Sequence, residues 1–81
     1  MESKSVTIFL KNPIGKIISL TCPLNSTVEW IKEKIKDREA IASNNCYLTY
    51  CYKRLDEKNT LEDYNVQEHE TISINIYLRG D

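Results

Sequence analysis

The stretch NSTVEWIKEKIKDRE, residues 25–39, decides the fold class. Asn25, Ser26 and Thr27 offer side-chain acceptors just ahead of Val28, Ile31 and Ile35, whose i, i+3, i+7 spacing lines one face of a helix. The spacing predicts a helix from Val28 to about Glu39. Its other positions carry Glu29, Lys32, Glu33, Lys34, Lys36, Asp37 and Arg38 and are expected to face water, with Glu29/Lys32 and Glu33/Lys36 placed to support the helix. One helix with one apolar stripe must bury that stripe against another layer, and strand patterns flank it on both sides.

Upstream, Val6, Ile8 and Leu10 alternate with Thr7, Phe9 and Lys11, as a half-buried strand requires. Asn12-Pro13-Ile14-Gly15 supplies a fixed-φ proline and a permissive glycine, and alternation resumes with Ile18, Leu20 and Cys22 opposite Ile17, Ser19 and Thr21. A hairpin is expected. Downstream, residues 41–45 lose periodicity, and Cys46 to Tyr50 alternates with Leu48 and Tyr50 inward. Lys53 to Asn59 reads as a polar turn, and Thr60 to Asn65 as a short helical turn. Thr71 to Leu78 then sets Ile72, Ile74, Ile76 and Leu78 against Ser73, Asn75 and Tyr77. The result is an α+β two-layer arrangement, a sheet with one helix packed across it, and a core of Ile8, Leu20, Ile31, Ile35, Leu48, Leu61, Ile72 and Ile74.

With 81 residues, 41% apolar and 28% charged, the chain makes one domain. A chain this short buries roughly 60–65% of its unfolded surface, which argues against an elaborate active-site cleft. Eleven basic and twelve acidic residues leave a net charge of −1, with no electrostatic footprint for nucleic acid or an anionic membrane. No apolar run reaches the roughly 18–20 residues of a membrane span, and Met1 to Ser5 lacks the apolar core of a secretion signal, so a cytoplasmic or nuclear location is expected. Cys22, Cys46 and Cys51 are odd in number and irregular in spacing, which points to a reducing compartment.

These cysteines do not predict chemistry. Cys46 and Cys51, five apart, point to opposite faces of a strand unless the chain turns between them, so a zinc site with His69 is not expected. Cys22 reads as core and His69 as a solvated turn residue, and nothing orients His69 as a base for Cys51. No metal, no cofactor and no enzymatic activity are expected. Trp30 lies off the apolar stripe, where it either packs on the helix edge or anchors a partner. Phe9 and Ile17 face outward together as a small apolar spot.

From Val6 to Asp81 the chain resembles ubiquitin, on Ile8-Phe9 with Lys11, Gly15-Lys16, Thr27-Val28-Glu29, Lys32, Lys34-Ile35, Thr60-Leu61, Asp63-Tyr64-Asn65, Gln67 and Leu78-Arg79-Gly80. The resemblance implies the β-grasp fold with a mixed sheet. It makes 6–78 the ubiquitin-like domain, 1–5 an N-terminal extension and 79–81 a tail. It gives Tyr64 a hydroxyl anchor for the turn before the last strand, and sets Ala40 where ubiquitin ends its helix with glycine, at a cost of about 1 kcal/mol.

The departures bear on function. Ubiquitin ends in two glycines and is joined to lysines through its terminal carboxylate; here Arg79 and Gly80 are followed by Asp81. Lys11, Lys16 and Lys53 match family lysines and are the expected isopeptide acceptors. Ubiquitin's apolar patch and its neighbouring histidine correspond to Pro13, Thr49, Asn75 and Ser73. Two flanking arginines correspond to Tyr47 and Tyr77, which antiparallel register sets diagonally within reach of each other. The expected interaction surface is Tyr47, Thr49, Ser73, Asn75 and Tyr77, with Phe9 and Ile17. The chain is thus expected to be a monomeric module that binds proteins without covalent attachment. The alternative is a modifier conjugated through Gly80 once Asp81 is removed.

Overall fold

The computed structural model describes residues 4–41 and 45–77. Alternation in β1 (Ser5–Lys11) turns Val6, Ile8 and Leu10 inward. It pairs antiparallel with β2 (Ile17–Pro23), Ile8 opposite Leu20 and Leu10 opposite Ile18. The turn between them is held by Asn12, whose side-chain oxygen accepts from the amides of Ile14 at 3.1 Å and Lys16 at 2.8 Å. Gly15 supplies the left-handed residue that this turn needs, with φ 91°.

The helix α1 (Val28–Glu39) starts where expected, with Thr27 Oγ1 accepting from the Trp30 amide at 3.2 Å. It ends on Ala40 in the left-handed conformation (φ 57°, ψ 28°), and the Ala40 amide donates to Lys36 O at 3.0 Å. Strands β3 (Cys46–Tyr50), β4 (Lys53–Arg54) and β5 (Thr71–Ile76) complete a sheet of order β2-β1-β5-β3-β4. Only β1 and β5 run parallel, so the sheet is mixed, with the helix packed across it. This is the expected β-grasp arrangement. All eight expected core residues are buried, together with Val28 and Cys46.

Several local expectations are corrected. Lys32, expected to face water, is 3% exposed, and its ammonium donates to Glu57 rather than supporting Glu29. The 53–59 segment is not all polar turn: Lys53 and Arg54 form β4, and Leu55 is buried in the core. Val66 is buried too. Ile76, expected inward, is exposed although Cys46 opposite it is buried; Leu78 lies outside the described residues. The Tyr64 hydroxyl accepts from the Asp56 amide at 2.8 Å and from Asn59 Nδ2 at 3.1 Å, fastening the 3-10 turn Glu62–Tyr64 to the preceding loop.

Between β3 and β4 the two-residue turn Cys51-Tyr52 has φ 54° and 65°, values suited to asparagine or glycine. Neither residue is of that type, so the turn is strained in the same way as the helix end. Ala40→Gly is expected to stabilise the domain by about 1 kcal/mol, raising the thermal midpoint by roughly 4–8 °C. Tyr52→Gly should add a comparable increment. Thermal unfolding followed by circular dichroism checks both, and an unchanged midpoint in Ala40→Gly counts against a strained cap.

Candidate functional site

Because side chains alternate, the sheet face opposite the helix is built from the outward positions of all five strands. Register places Ile17 beside Lys11, Lys11 beside Ser73, Ser73 beside Thr49 and Thr49 beside Arg54, a single rung crossing the sheet. Tyr47 pairs with Asn75, and Tyr77 follows two residues on. The expected surface residues Tyr47, Thr49, Ser73, Asn75 and Tyr77 are therefore brought together.

This surface is tied to itself by polar contacts. Asn75 Nδ2 donates to Thr49 Oγ1 at 3.1 Å and lies 3.4 Å from Ser73 O. The Tyr47 and Tyr77 rings meet at 5.1 Å between centroids, tilted by 43°, as the diagonal register requires. Arg54, which the sequence did not single out, joins them: its guanidinium lies 4.7 Å from the Tyr47 centroid and 5.2 Å from that of Tyr77, and Nη2 donates to the Tyr77 hydroxyl. The signal that would have found it is hairpin pairing. A two-residue turn after Tyr50 puts Arg54 opposite Thr49, on the same face as the tyrosines.

Phe9 and Ile17 lie at the other side of the same face as diagonal neighbours, but they do not form an open apolar spot. His69, exposed in its turn as expected, also stacks on Phe9 at 5.8 Å, with the rings 20° from parallel. Its Nε2 lies 3.7 Å from Glu68, whose other oxygen accepts from the Thr7 amide at 3.1 Å. Ile17 is exposed, and so is Ile14 at the hairpin tip. Trp30 is 38% exposed on the helix, with the Lys34 ammonium 5.0 Å from its ring centre.

The lysines differ in accessibility. Lys11 and Lys53 are exposed, Lys53 with its ammonium 5.9 Å from the Tyr64 ring centre. Lys16 is exposed and 3.3 Å from Glu39. Arg79, Gly80 and Asp81 lie outside the described residues.

The titratable groups are set by burial and by their neighbours. Desolvation raises the thiols of Cys22 and Cys46 above their ordinary value, partly offset by a hydrogen bond to Ser26 at Cys22 and by the charge of Lys32 at Cys46. Tyr50 is also raised, because its hydroxyl donates to the Glu70 carboxylate. Cys51 is exposed in the β3–β4 turn and lines a shallow cleft of about 310 Å³ with Tyr50, Lys53, Asp63, Tyr64 and Asn65. His69, on Phe9, is not part of that lining. Among the described residues, no three His, Cys, Asp or Glu side chains converge to hold a metal ion, and no helix is long and apolar enough to cross a membrane.

With this geometry in place, comparison with known proteins decides the lineage. The model of the ubiquitin family matches residues 8–79, nearly the whole domain. The chain belongs to the ubiquitin family. Similar relatives are the NEDD8-like protein RUB3 of Arabidopsis thaliana, 30% identical over 73 residues, and ubiquitin-like protein 1 of Schizosaccharomyces pombe, 29% identical over 73 residues. Each match covers 90% of this chain and 94% of the relative.

Burial sorts the three thiols into one accessible and two shielded groups. A thiol reagent such as Ellman's is expected to modify Cys51 rapidly at neutral pH and to reach Cys22 and Cys46 only in denaturant. Stopped-flow absorbance checks this, and two or three fast equivalents from the native protein would contradict the burial described above.

Proposed function

We propose that this ubiquitin-family chain acts as a monomeric, non-covalent protein-binding module without enzymatic activity of its own. The observation that supports this reading is the outer sheet face. Where ubiquitin carries an apolar patch, this face carries Thr49, Ser73 and Asn75, linked by hydrogen bonds, beside the Tyr47–Arg54–Tyr77 cluster. Tyrosine and arginine combine large contact area with polar reach and are enriched at binding hot spots. A small helix that recognises ubiquitin's apolar patch forfeits roughly 1.5–3 kcal/mol here for each buried aliphatic contact it loses. It must also cover the Asn75 side chain, whose Nδ2 is already used on Thr49 Oγ1 and whose carbonyl oxygen loses water on burial.

The second reading, a modifier attached to target lysines, is favoured by Arg79-Gly80 and by the likeness to a protein named NEDD8-like. In this chain Asp81 follows Gly80, and its β-carboxylate adds bulk and charge where a channel must approach the backbone closely. Conjugation through Gly80 thus requires prior removal of Asp81, and Lys11, Lys16 and Lys53 would be the lysines open to chain growth.

Incubated with a ubiquitin-activating enzyme and ATP, the 81-residue chain is expected to form no thioester on non-reducing gels. A thioester on the intact chain would favour the modifier reading over the module. Separately, titration of the isotope-labelled domain with an ordinary ubiquitin-receptor helix should leave the amides of Thr49 and Asn75 unshifted, and shifts at ubiquitin-like affinity would show that the face retains the family's specificity.

A further inference from the structure

Arg54 is an exposed guanidinium held in place and, among the described residues, left without a counter-ion. Its distances to the two tyrosine rings (4.7 and 5.2 Å) and the separation of those rings (5.1 Å) form a nearly equilateral triangle. Both rings therefore lie on the same side of the guanidinium, which is seated over the V that they form. One N–H is used on the Tyr77 hydroxyl. Arginine carries five N–H donors in a planar fork, so donors remain on the open side. The ion pairs among the described residues are Lys16–Glu39, Lys32–Glu57 and His69–Glu68, and Arg54 belongs to none of them.

The surrounding charge is one-sided. The outward positions of the five strands include two cations, Lys11 and Arg54, and no Asp or Glu. On the segment leading into β5 the acidic side chains are already engaged, Glu68 with the Thr7 amide and His69, and Glu70 with the Tyr50 hydroxyl. Lys11 and Arg54 end a stretch of the rung that crosses β1, β5, β3 and β4, with Ser73 and Thr49 between them. Three strand spacings separate these two cations, about 14 Å, which an extended peptide covers in about four residues.

We propose that this face docks an acidic segment of a partner protein, laid across the strands, with one carboxylate on the Arg54 fork and a second, four residues away, at Lys11. The proposal rests on the interaction-module reading and gives that module's partner a chemistry. Tyr47 and Tyr77 hold the guanidinium from the side away from the first carboxylate, so that little side-chain freedom is lost on binding. The hydroxyls of Thr49 and Ser73 face the backbone of the crossing segment. Recognition is by charge and planar geometry rather than by an apolar anchor, which fits a face from which the family's apolar patch is missing.

The test uses the isotope-labelled 81-residue chain and a blocked peptide Glu-Ser-Gly-Ser-Glu, its Gln-for-Glu counterpart, and inorganic phosphate at matched ionic strength. The Glu peptide is expected to shift the amides of Tyr47, Thr49, Arg54 and Asn75, and the Gln peptide to leave them in place. Arg54→Gln should weaken binding about tenfold or more, Arg54→Lys should restore part of it, and Lys11→Gln should cost about threefold. Because Arg54 is exposed, these variants are expected to keep the native spectrum away from the face. Equal shifts with the Gln peptide, equal shifts with phosphate, or no dependence on Arg54 would each overturn the proposal. The thioester assay reads the underlying module independently: a failed peptide titration without a thioester removes the acidic partner and leaves the module, whereas a thioester removes the module itself.

Discussion

The parallel pairing of β1 with β5 is the constraint on which the rest of the molecule depends. Phe9, Leu10 and Lys11 near the start of the chain lie beside Thr71, Ile72 and Ser73 near its end, with the Phe9 amide donating to Glu70 O at 2.9 Å. Two parallel neighbours cannot be joined by a tight turn, so the intervening chain must cross from one edge of the sheet to the other. The helix makes that crossing and covers Ile8, Leu10, Ile72 and Ile74 with Val28, Ile31 and Ile35. The pairing also assembles the outer sheet face, because it sets Lys11 beside Ser73 and so connects the hairpin to the Tyr47–Arg54–Tyr77 side.

The edges of the sheet are closed by simple means. On β2, Arg38 from the helix donates to Ser19 O at 2.6 Å, and Pro23 ends the strand with a residue that has no amide to offer. On the other side β4 is two residues long. Unpaired strand edges invite association with other chains, and a side-chain cap, a proline and a short strand each reduce what is open.

Lys32 and Arg54 show how differently one chain can treat two cations. The Lys32 side chain is 4% exposed and spans from the helix to Glu57, itself half in water, so the pair ties the helix to the loop that carries Leu55. A buried charge of this kind is retained only with its partner, since removing one member leaves the other without compensation. Arg54 is at the surface, supported by aromatic rings, and has no acidic partner among the described residues. The first arrangement serves the fold, and the second leaves donors free for another molecule.

The sequence by itself determined the order of the elements apart from β4, the helix limits and the centre of the core, because those follow from local periodicity: Val28, Ile31 and Ile35 at helical spacing, and Ile8, Leu20, Leu48, Ile72 and Ile74 at strand spacing. It also set the diagonal contact of Tyr47 with Tyr77, given antiparallel register. It did not determine the fate of residues whose neighbours are distant in the chain. Leu55 and Val66 are isolated apolar residues in polar stretches, and only the closing of loops over the core buries them. Lys32 reads as one more charge on a charged helix until the fold brings Glu57 to it. Asn12 holds the hairpin through its own side chain, a role its alternation pattern does not carry. Arg54 becomes part of the site only when the Cys51-Tyr52 turn sets β4 against β3. In each case the deciding partner is supplied by tertiary contact, and a one-dimensional pattern has no term for it.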